Sequence, residues 1–359
     1  MTGLADYIKW LGRFSFAELP LCEADILVMC EIAYYDVAPA LREGAALVAD
    51  CREGFESGAI RRRLTGGEAE NGAIFRAAVA SKRFGALRIT DYEDMLEPET
   101  PLQFSAMTFR WDGGGFIAFR GTDETIAGWK EDFMIAFTET KAQKLAAAYA
   151  ERILAGGGHF SIGGHSKGAN HALYAACRLS PGAWERVDRV FLLDGPGLCP
   201  EVMDVSVAER VNEKATRILP EFSVVGKLFE PKITDTRIVK SSASGVSQHG
   251  LATWQVAYGD LALAEENDRH SVSLMEILNR WIAGLSEDER RALTDDLFGP
   301  LAAGGAVTLS DIAGSGPASF EAVLVKMFHA SEVTRRLMRE LPSQLGATLR
   351  RQLTGADAE

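Results

Sequence analysis

A stretch from residue 158 to 179 constrains the fold of this chain more than any other, because it has the pattern of a strand, a sharp turn and a helix. Gly164 to Gly168 form the motif G-x-S-x-G at the turn, with Ser166 at its centre. Glycines on both sides of the serine allow the tight turn that lifts a hydroxyl above a sheet edge. The stretch therefore predicts a nucleophile elbow, and the alternative is an ordinary turn in which Ser166 caps the helix.

A serine hydroxyl becomes nucleophilic when a histidine, oriented by an acid, takes its proton, and the usual chain order in such folds is serine, acid, histidine. Five of the six histidines fit poorly, since they surround the elbow or lie in regions of helical pattern: His159, His165, His171, His270 and His329. His249 remains, in a loop of small residues that follows the strand-like run TRIVK. We predict His249 as the base, against the alternative of a solvent-facing loop histidine.

The acid is predicted less directly. Asp194 ends a strand-like run from Val187 to Leu193 and would lie at the active edge of the sheet. It could equally serve the Gly-Pro-Gly turn that follows it. Glu221 and Asp235, on later loops, are the alternatives.

Two backbone amides are predicted to bind the oxyanion. The amide of Lys167 would lie at the start of the helix after the elbow, where backbone N–H groups are unpaired. The second donor usually follows an earlier strand, and Thr122, in Phe-Arg-Gly-Thr, fits that place. Thr122 in a simple capped turn is the other interpretation.

These motifs together resemble a known family. The run FRGTDETIAGWKEDF, followed by FSIGGHSKGANHALYAA, is similar to the fungal class 3 lipase pattern, in which F-R-G-T, W-x-x-D (here Trp129 and Asp132) and G-H-S-x-G occur in order. The similarity extends over about residues 100 to 258 and is greater still to a group of uncharacterised bacterial lipase-like proteins. It implies an α/β-hydrolase fold, with Ser166 as nucleophile, His249 as base and Thr122 and Lys167 around the oxyanion.

The chain departs from that pattern at two positions. Ser223 stands where class 3 lipases carry their aspartate, whereas pancreatic-type lipases take theirs one strand earlier, in a turn that resembles the one containing Asp194. Lys167 stands where leucine is common in the family. Its cation could stabilise negative charge or favour an acidic substrate, or its side chain could reach the surface as a snorkelling lysine.

The order of patterns predicts an α/β protein in which a mainly parallel central sheet is flanked by helices, with helical additions at both ends. Residues 1–100 are predicted as a mainly helical lead-in, packed on the core or part of a cap. Residues 101–259 would form the catalytic core, and residues 260–359 a helical layer or cap.

Composition excludes several partners and compartments. A net charge of −12 in 359 residues opposes nonspecific binding to nucleic acid or anionic membranes. The apolar runs are too short for a membrane span, and the first residues lack a secretory signal pattern. An odd number of separated cysteines (5), without C-x-x-C, predicts free thiols in a reducing, cytoplasmic compartment and no zinc site.

These observations predict a serine hydrolase that cleaves carboxylic esters, with lipid-like acyl esters implied by the resemblance. The chemistry would need no metal or organic cofactor, and acyl transfer or cleavage of thioesters or peptides would use the same residues. The alternative is a hydrolase-fold protein that has lost catalysis and serves as a binding or scaffold module. Ser223 in place of the family's aspartate motivates that alternative.

Overall fold

The computed structural model describes residues 2–63, 68–97, 102–123, 130–131, 134–135, 138–198, 202, 205–303 and 331–336. Its helices are α1 (Leu4–Leu11), α2 (Glu23–Ile32), α3 (Ala38–Arg42), α4 (Arg52–Glu56), α5 (Glu68–Ala80), α6 (Lys82–Gly85), α7 (Lys141–Ala155), α8 (Lys167–Arg178), α9 (Pro181–Trp184), α10 (Val205–Asn212), α11 (Arg269–Ala283) and α12 (Glu287–Ala303). Its strands are β1 (Arg88–Glu97), β2 (Leu102–Trp111), β3 (Gly114–Phe119), β4 (Phe160–His165), β5 (Val187–Leu193), β6 (Ala215–Pro220), β7 (Thr236–Val239), β8 (Val256–Ala257), β9 (Asp260–Leu261) and β10 (Leu263–Ala264).

A mainly parallel sheet organises the fold. Its eight strands lie in the order β1-β2-β3-β4-β5-β6-β7-β10, and the five strands from β3 to β7 are parallel. The antiparallel strands β1 and β2 extend one side, and β10 pairs antiparallel with β7 on the other. The predicted α/β-hydrolase-like class, with a mainly parallel central sheet, is confirmed.

Helices cover both faces of this sheet. On one face, apolar residues of β2, β3, β5 and β6 join a core with α1, α2 and α5. On the other face, a second core joins α7 and α8. Successive side chains of a strand point to opposite faces, and β2, β3, β5 and β6 supply residues to both cores. Helix α2 is enclosed on all sides, because every residue from Ala24 to Ile32 is buried.

The parallel strands bring their carboxyl ends to one edge of the sheet. Phe119 of β3 pairs with Gly164 of β4, and His165 of β4 pairs with Leu193 of β5. The loops that follow β3, β4 and β5 therefore emerge side by side. Ligands of open α/β sheets bind at this edge.

The sheet extends beyond the predicted core of residues 101–259. Strand β1 comes from the segment that the sequence indicated as a mainly helical lead-in, and β10 comes from the segment indicated as helical. Two-residue strands such as β9 and β10 are too short to show an alternating pattern. The helical periodicity of the residues after them therefore determined the prediction for residues 260–359. Helices α11 and α12 follow them, whereas residues 304–330 and 337–359 of the predicted C-terminal layer lie outside the described residues.

Candidate active site

The elbow at Ser166 has the strained backbone that its motif predicts. Ser166 joins β4 to α8 with φ 59° and ψ −131°. A positive φ is uncommon for a residue with a side chain, and it persists where the surroundings enforce it. The flanking glycines allow the surroundings to pack this closely, since a Cβ on Gly168 would lie 2.1 Å from the carbonyl oxygen of Phe119, and one on Gly164 would lie 2.3 Å from the carbonyl carbon of Gly168.

Asp194 and His249 meet beside this elbow. Nδ1 of His249 lies 2.6 Å from Oδ2 of Asp194, a carboxylate that is fully buried. Because the carboxylate accepts, Nδ1–H of His249 donates, which leaves Nε2 of the neutral ring as a proton acceptor. The turn after Asp194 packs against the elbow so closely that a Cβ on Gly195 would lie 2.2 Å from the carbonyl oxygen of Ser166.

The second oxygen of the Asp194 carboxylate is also hydrogen-bonded. Ser223 donates to Oδ1 through its hydroxyl at 2.5 Å, and the backbone N–H of Gly226 donates at 3.1 Å. Ser223, at the position where class 3 lipases carry an aspartate, thus binds Asp194, which lies one strand earlier. Sequence reasoning noted Ser223 as a missing acid and did not anticipate this contact.

The alternative acids lie elsewhere. Asp235 precedes β7, at the opposite edge of the sheet from Asp194, and bonds with Arg189, Arg237 and Thr216. Glu221 follows β6, and its backbone carbonyl accepts a hydrogen bond from the backbone N–H of Asp268. Of the three candidate carboxylates, Asp194 is the one with a hydrogen bond to His249.

The loop that contains Thr122 lies against the elbow. A Cβ on Gly121 would lie 2.4 Å from the hydroxyl of Tyr34, 2.6 Å from the carbonyl oxygen of His165 and 2.9 Å from Cβ of Ser166. The loop is anchored by the buried Arg120, which pairs with Asp94 at 3.0 Å. Thr122, one of the two predicted oxyanion donors, is buried in this loop. Lys167, the other, is the first residue of α8, where backbone N–H groups have no acceptor within the helix.

The side chain of Lys167 is buried rather than at the surface. Its Nζ donates to the side-chain oxygen of Gln103 at 2.8 Å and to Oε2 of Glu131 at 3.0 Å. The surface-lysine interpretation is therefore wrong. Pairing with a buried carboxylate also makes this ammonium a poor group for recognising an acidic substrate.

Two residues that sequence reasoning did not place at the site contribute to it. The elbow residue His165, set aside because its chain order is wrong for a base, lies with its ring centroid 4.5 Å from that of His249. Tyr34, which follows α2, bonds to the far side of the His165 ring. No local signal could reveal contacts between residues this far apart in sequence. Trp129 and Asp132 of the W-x-x-D motif lie outside the described residues.

The fold and the serine elbow define an α/β-hydrolase-like protein. The chain belongs to the Mbeg1-like family, whose model matches residues 78–299. This range contains the whole segment, about 100 to 258, whose motifs resemble the class 3 lipases.

Among solved structures, the chain is similar to M37 lipase, at 16% sequence identity and a TM-score of 0.36, over 57% of this chain and 69% of that one. No curated protein matches the sequence. In the part of the chain that the structure describes, no helix combines the length and apolar character needed to cross a membrane.

Proposed function

We propose that this protein is a serine hydrolase that cleaves carboxylic esters, with lipid-like acyl esters as the substrate class. The observation that carries the proposal is the 2.6 Å hydrogen bond between His249 and Asp194 beside a serine held in a strained elbow. A histidine bonded in this way to a buried carboxylate has a fixed tautomer, and its Nε2 can take a proton.

In the proposed reaction, Oγ of Ser166 attacks the ester carbonyl carbon while Nε2 of His249 takes the hydroxyl proton. The backbone amides of Thr122 and Lys167 donate hydrogen bonds to the oxyanion that forms. Collapse of this intermediate breaks the ester bond, and Nε2 returns the proton to the leaving alcohol. The acyl group remains on Ser166.

Water completes the cycle. His249 takes a proton from a water molecule, whose oxygen attacks the acyl-enzyme, and the same proton returns to Oγ as the acid product leaves. Asp194 orients the imidazole throughout and stabilises its cationic form.

The alternative of an inactive scaffold depends on the absence of an acid at position 223. The Asp194–His249 bond favours the enzyme, because an acid is present one strand earlier and reaches the base. The lipid-like acyl group is supported by the resemblance to class 3 lipases, since a fold alone does not define a substrate.

Hydrolysis of p-nitrophenyl esters tests the proposal. The purified chain would be assayed with acetate, butyrate, octanoate and palmitate esters, beside Ser166→Ala as the matched control. We expect hydrolysis by the wild type, with kcat/KM rising with acyl length, and a loss of roughly 10³-fold or more in Ser166→Ala. Equal rates for the folded wild type and Ser166→Ala would refute the enzyme, and a preference for acetate would refute the lipid-like substrate.

A further inference from the structure

Tyr34 is the innermost residue of a hydrogen-bonded chain that ends on the backbone of His249. It is buried and follows α2, in a part of the sequence that the family model does not match. Its hydroxyl lies 2.9 Å from Nδ1 of His165, and Nε2 of His165 lies 2.8 Å from the carbonyl oxygen of His249. These two hydrogen bonds therefore connect the segment after α2, the elbow and the loop that contains His249.

The direction of each hydrogen bond follows from chemistry. The carbonyl oxygen of His249 can only accept, so Nε2–H of His165 donates to it. Nδ1 of the neutral ring then carries the lone pair and accepts from the hydroxyl of Tyr34. Burial lowers the pKa of His165 well below its usual value, and the electrostatic interaction with the neighbouring His249 ring lowers this pKa further. His165 is consequently neutral at physiological pH.

Tyr34 is itself held by a second residue, Arg62. The guanidinium of Arg62 lies 4.9 Å from the centroid of the Tyr34 ring, and Arg62 pairs with the buried Glu31 of α2 at 2.7 Å. The hydroxyl of Tyr34 also lies where a Cβ on Gly121 would clash, at 2.4 Å. The loop with the predicted oxyanion donor and the elbow thus both lie against this hydroxyl, and the loop of the base is connected to it through His165.

We propose that Tyr34 and His165 are positioning residues for the reaction, which hold the backbone of His249 so that its imidazole stays aligned with Ser166 and Asp194. This inference rests on the proposed function. The neutral His165 ring, whose centroid lies 4.5 Å from that of His249 with the two planes tilted by 33°, also adds no positive charge beside the imidazolium that forms during proton transfer. Neither residue touches the reacting atoms in this role.

A positioning role affects kcat rather than substrate affinity. Small displacements of a general base slow proton transfer strongly, whereas ground-state binding of the ester does not use the base. His165→Phe keeps a ring and removes both hydrogen bonds. His165→Gln keeps an N–H donor at the position of Nε2, and Tyr34→Phe removes only the hydroxyl.

The experiment measures kcat and KM for p-nitrophenyl butyrate, together with the rate of inactivation by a fluorophosphonate. We expect His165→Phe to lower kcat and the inactivation rate about 10- to 100-fold, with KM changed less than about 2-fold. Tyr34→Phe should lower kcat about 3- to 10-fold, and His165→Gln should recover part of the loss. Urea unfolding of each variant identifies those that are not folded.

Tyr149→Phe is the matched control. Tyr149 is also buried, and its hydroxyl shares a 2.7 Å hydrogen bond with Thr108 within the second core, so its loss should cost similar stability and leave kcat unchanged. Wild-type kcat in folded Tyr34→Phe and folded His165→Phe would overturn the inference alone. The same loss of kcat in Tyr149→Phe would assign the effect to stability and overturn it too. A folded wild type that neither hydrolyses esters nor reacts with the probe would overturn the proposed function, and with it this inference.

Discussion

Ser223 donates a 2.5 Å hydrogen bond to one carboxylate oxygen of Asp194, and the other oxygen accepts a hydrogen bond from His249. Ser223 follows β6, where class 3 lipases carry an aspartate, and Asp194 follows β5. The two positions are therefore neighbours in space. Although position 223 lacks the aspartate of class 3 lipases, the Asp194 carboxylate reaches His249, and Ser223 helps to hold that carboxylate.

Replacing Asp194 should remove most of the activity while leaving the loop geometry largely intact. We expect Asp194→Asn to lower kcat about 10²- to 10⁴-fold, because the imidazole loses both its tautomer control and the stabilisation of its cation. Ser223→Ala should lower kcat less, about 3- to 10-fold, since the Gly226 amide still binds Oδ1. Steady-state hydrolysis of p-nitrophenyl butyrate measures both, and a larger effect for Ser223→Ala than for Asp194→Asn would contradict this account.

Exchanging the two side chains gives a stricter control. In the double variant Asp194→Ser, Ser223→Asp, the carboxylate moves to the neighbouring strand end and keeps a hydroxyl partner. We expect at least about a 10-fold recovery of kcat over Asp194→Ser alone. No recovery in a folded double variant would show that position 223 does not reach His249.

Gly121 should tolerate no side chain. In Gly121→Ala the new Cβ would collide with the Tyr34 hydroxyl, the His165 carbonyl and Ser166. We expect a loss of about 1–3 kcal/mol in the free energy of unfolding and more than about a 10-fold loss of kcat. Gly182→Ala is the control, because a Cβ there meets no atom within 4 Å, and it should be neutral in urea unfolding and in activity. Wild-type kcat in Gly121→Ala would contradict the close packing of the two loops.

The buried pair of Lys167 and Glu131 should show strong non-additivity. Lys167→Met leaves the Glu131 carboxylate buried without its cation, which should cost about 3–5 kcal/mol of stability. In the double variant Lys167→Met, Glu131→Gln the buried negative charge is absent. The loss of stability should therefore be smaller than in Lys167→Met alone. Urea unfolding of the wild type, both single variants and the double variant measures the coupling. A double variant as unstable as the sum of the two single variants would contradict the contact.

His171 should make the stability of the protein depend on pH. Burial, aided by the charge of Lys167, lowers its pKa well below the usual value, and neither ring nitrogen has a hydrogen-bond partner among the described residues. The folded state keeps His171 neutral, whereas the unfolded chain takes up a proton below about pH 6.5, so stability falls as the pH falls through that value. His171→Leu removes this proton uptake.

Urea unfolding across the range from about pH 7 to pH 5 tests this effect. Stability of the wild type should fall on acidification, and His171→Leu should reduce the slope by up to about 1.4 kcal/mol per pH unit. At the neutral end the variant should be at least as stable as the wild type, because two unpartnered nitrogens leave the core. An unchanged slope in the variant would contradict a buried, neutral His171.

The parts of this protein that were predictable from sequence are those with local signals. The elbow motif and the strand and helix that flank it each depend on residues a few positions apart. His249 and Asp194 were named because chain order and strand ends restrict where such residues lie in a hydrolase fold. Their roles in catalysis stay predictions.

The remaining features depend on contacts across the chain. Tyr34 lies 131 positions before His165, and Gln103 lies 64 positions before Lys167, so no window of sequence contains either pair. Lys167, which follows Ser166, looked like a surface or substrate-facing cation because its buried partners are distant in sequence. Strand β10 escaped notice for the opposite reason, since two residues carry too little pattern to indicate a strand.

Covalent labelling of Ser166 tests the central claim most directly. The purified protein would be treated with a fluorophosphonate, and the modified residue would be identified by mass spectrometry of its peptides. The account predicts a single label on Ser166, none in Ser166→Ala, and labelling slowed by about 10²-fold or more in His249→Ala. A folded wild type that remains unlabelled, or one labelled equally fast after removal of His249, would contradict an activated serine at this site.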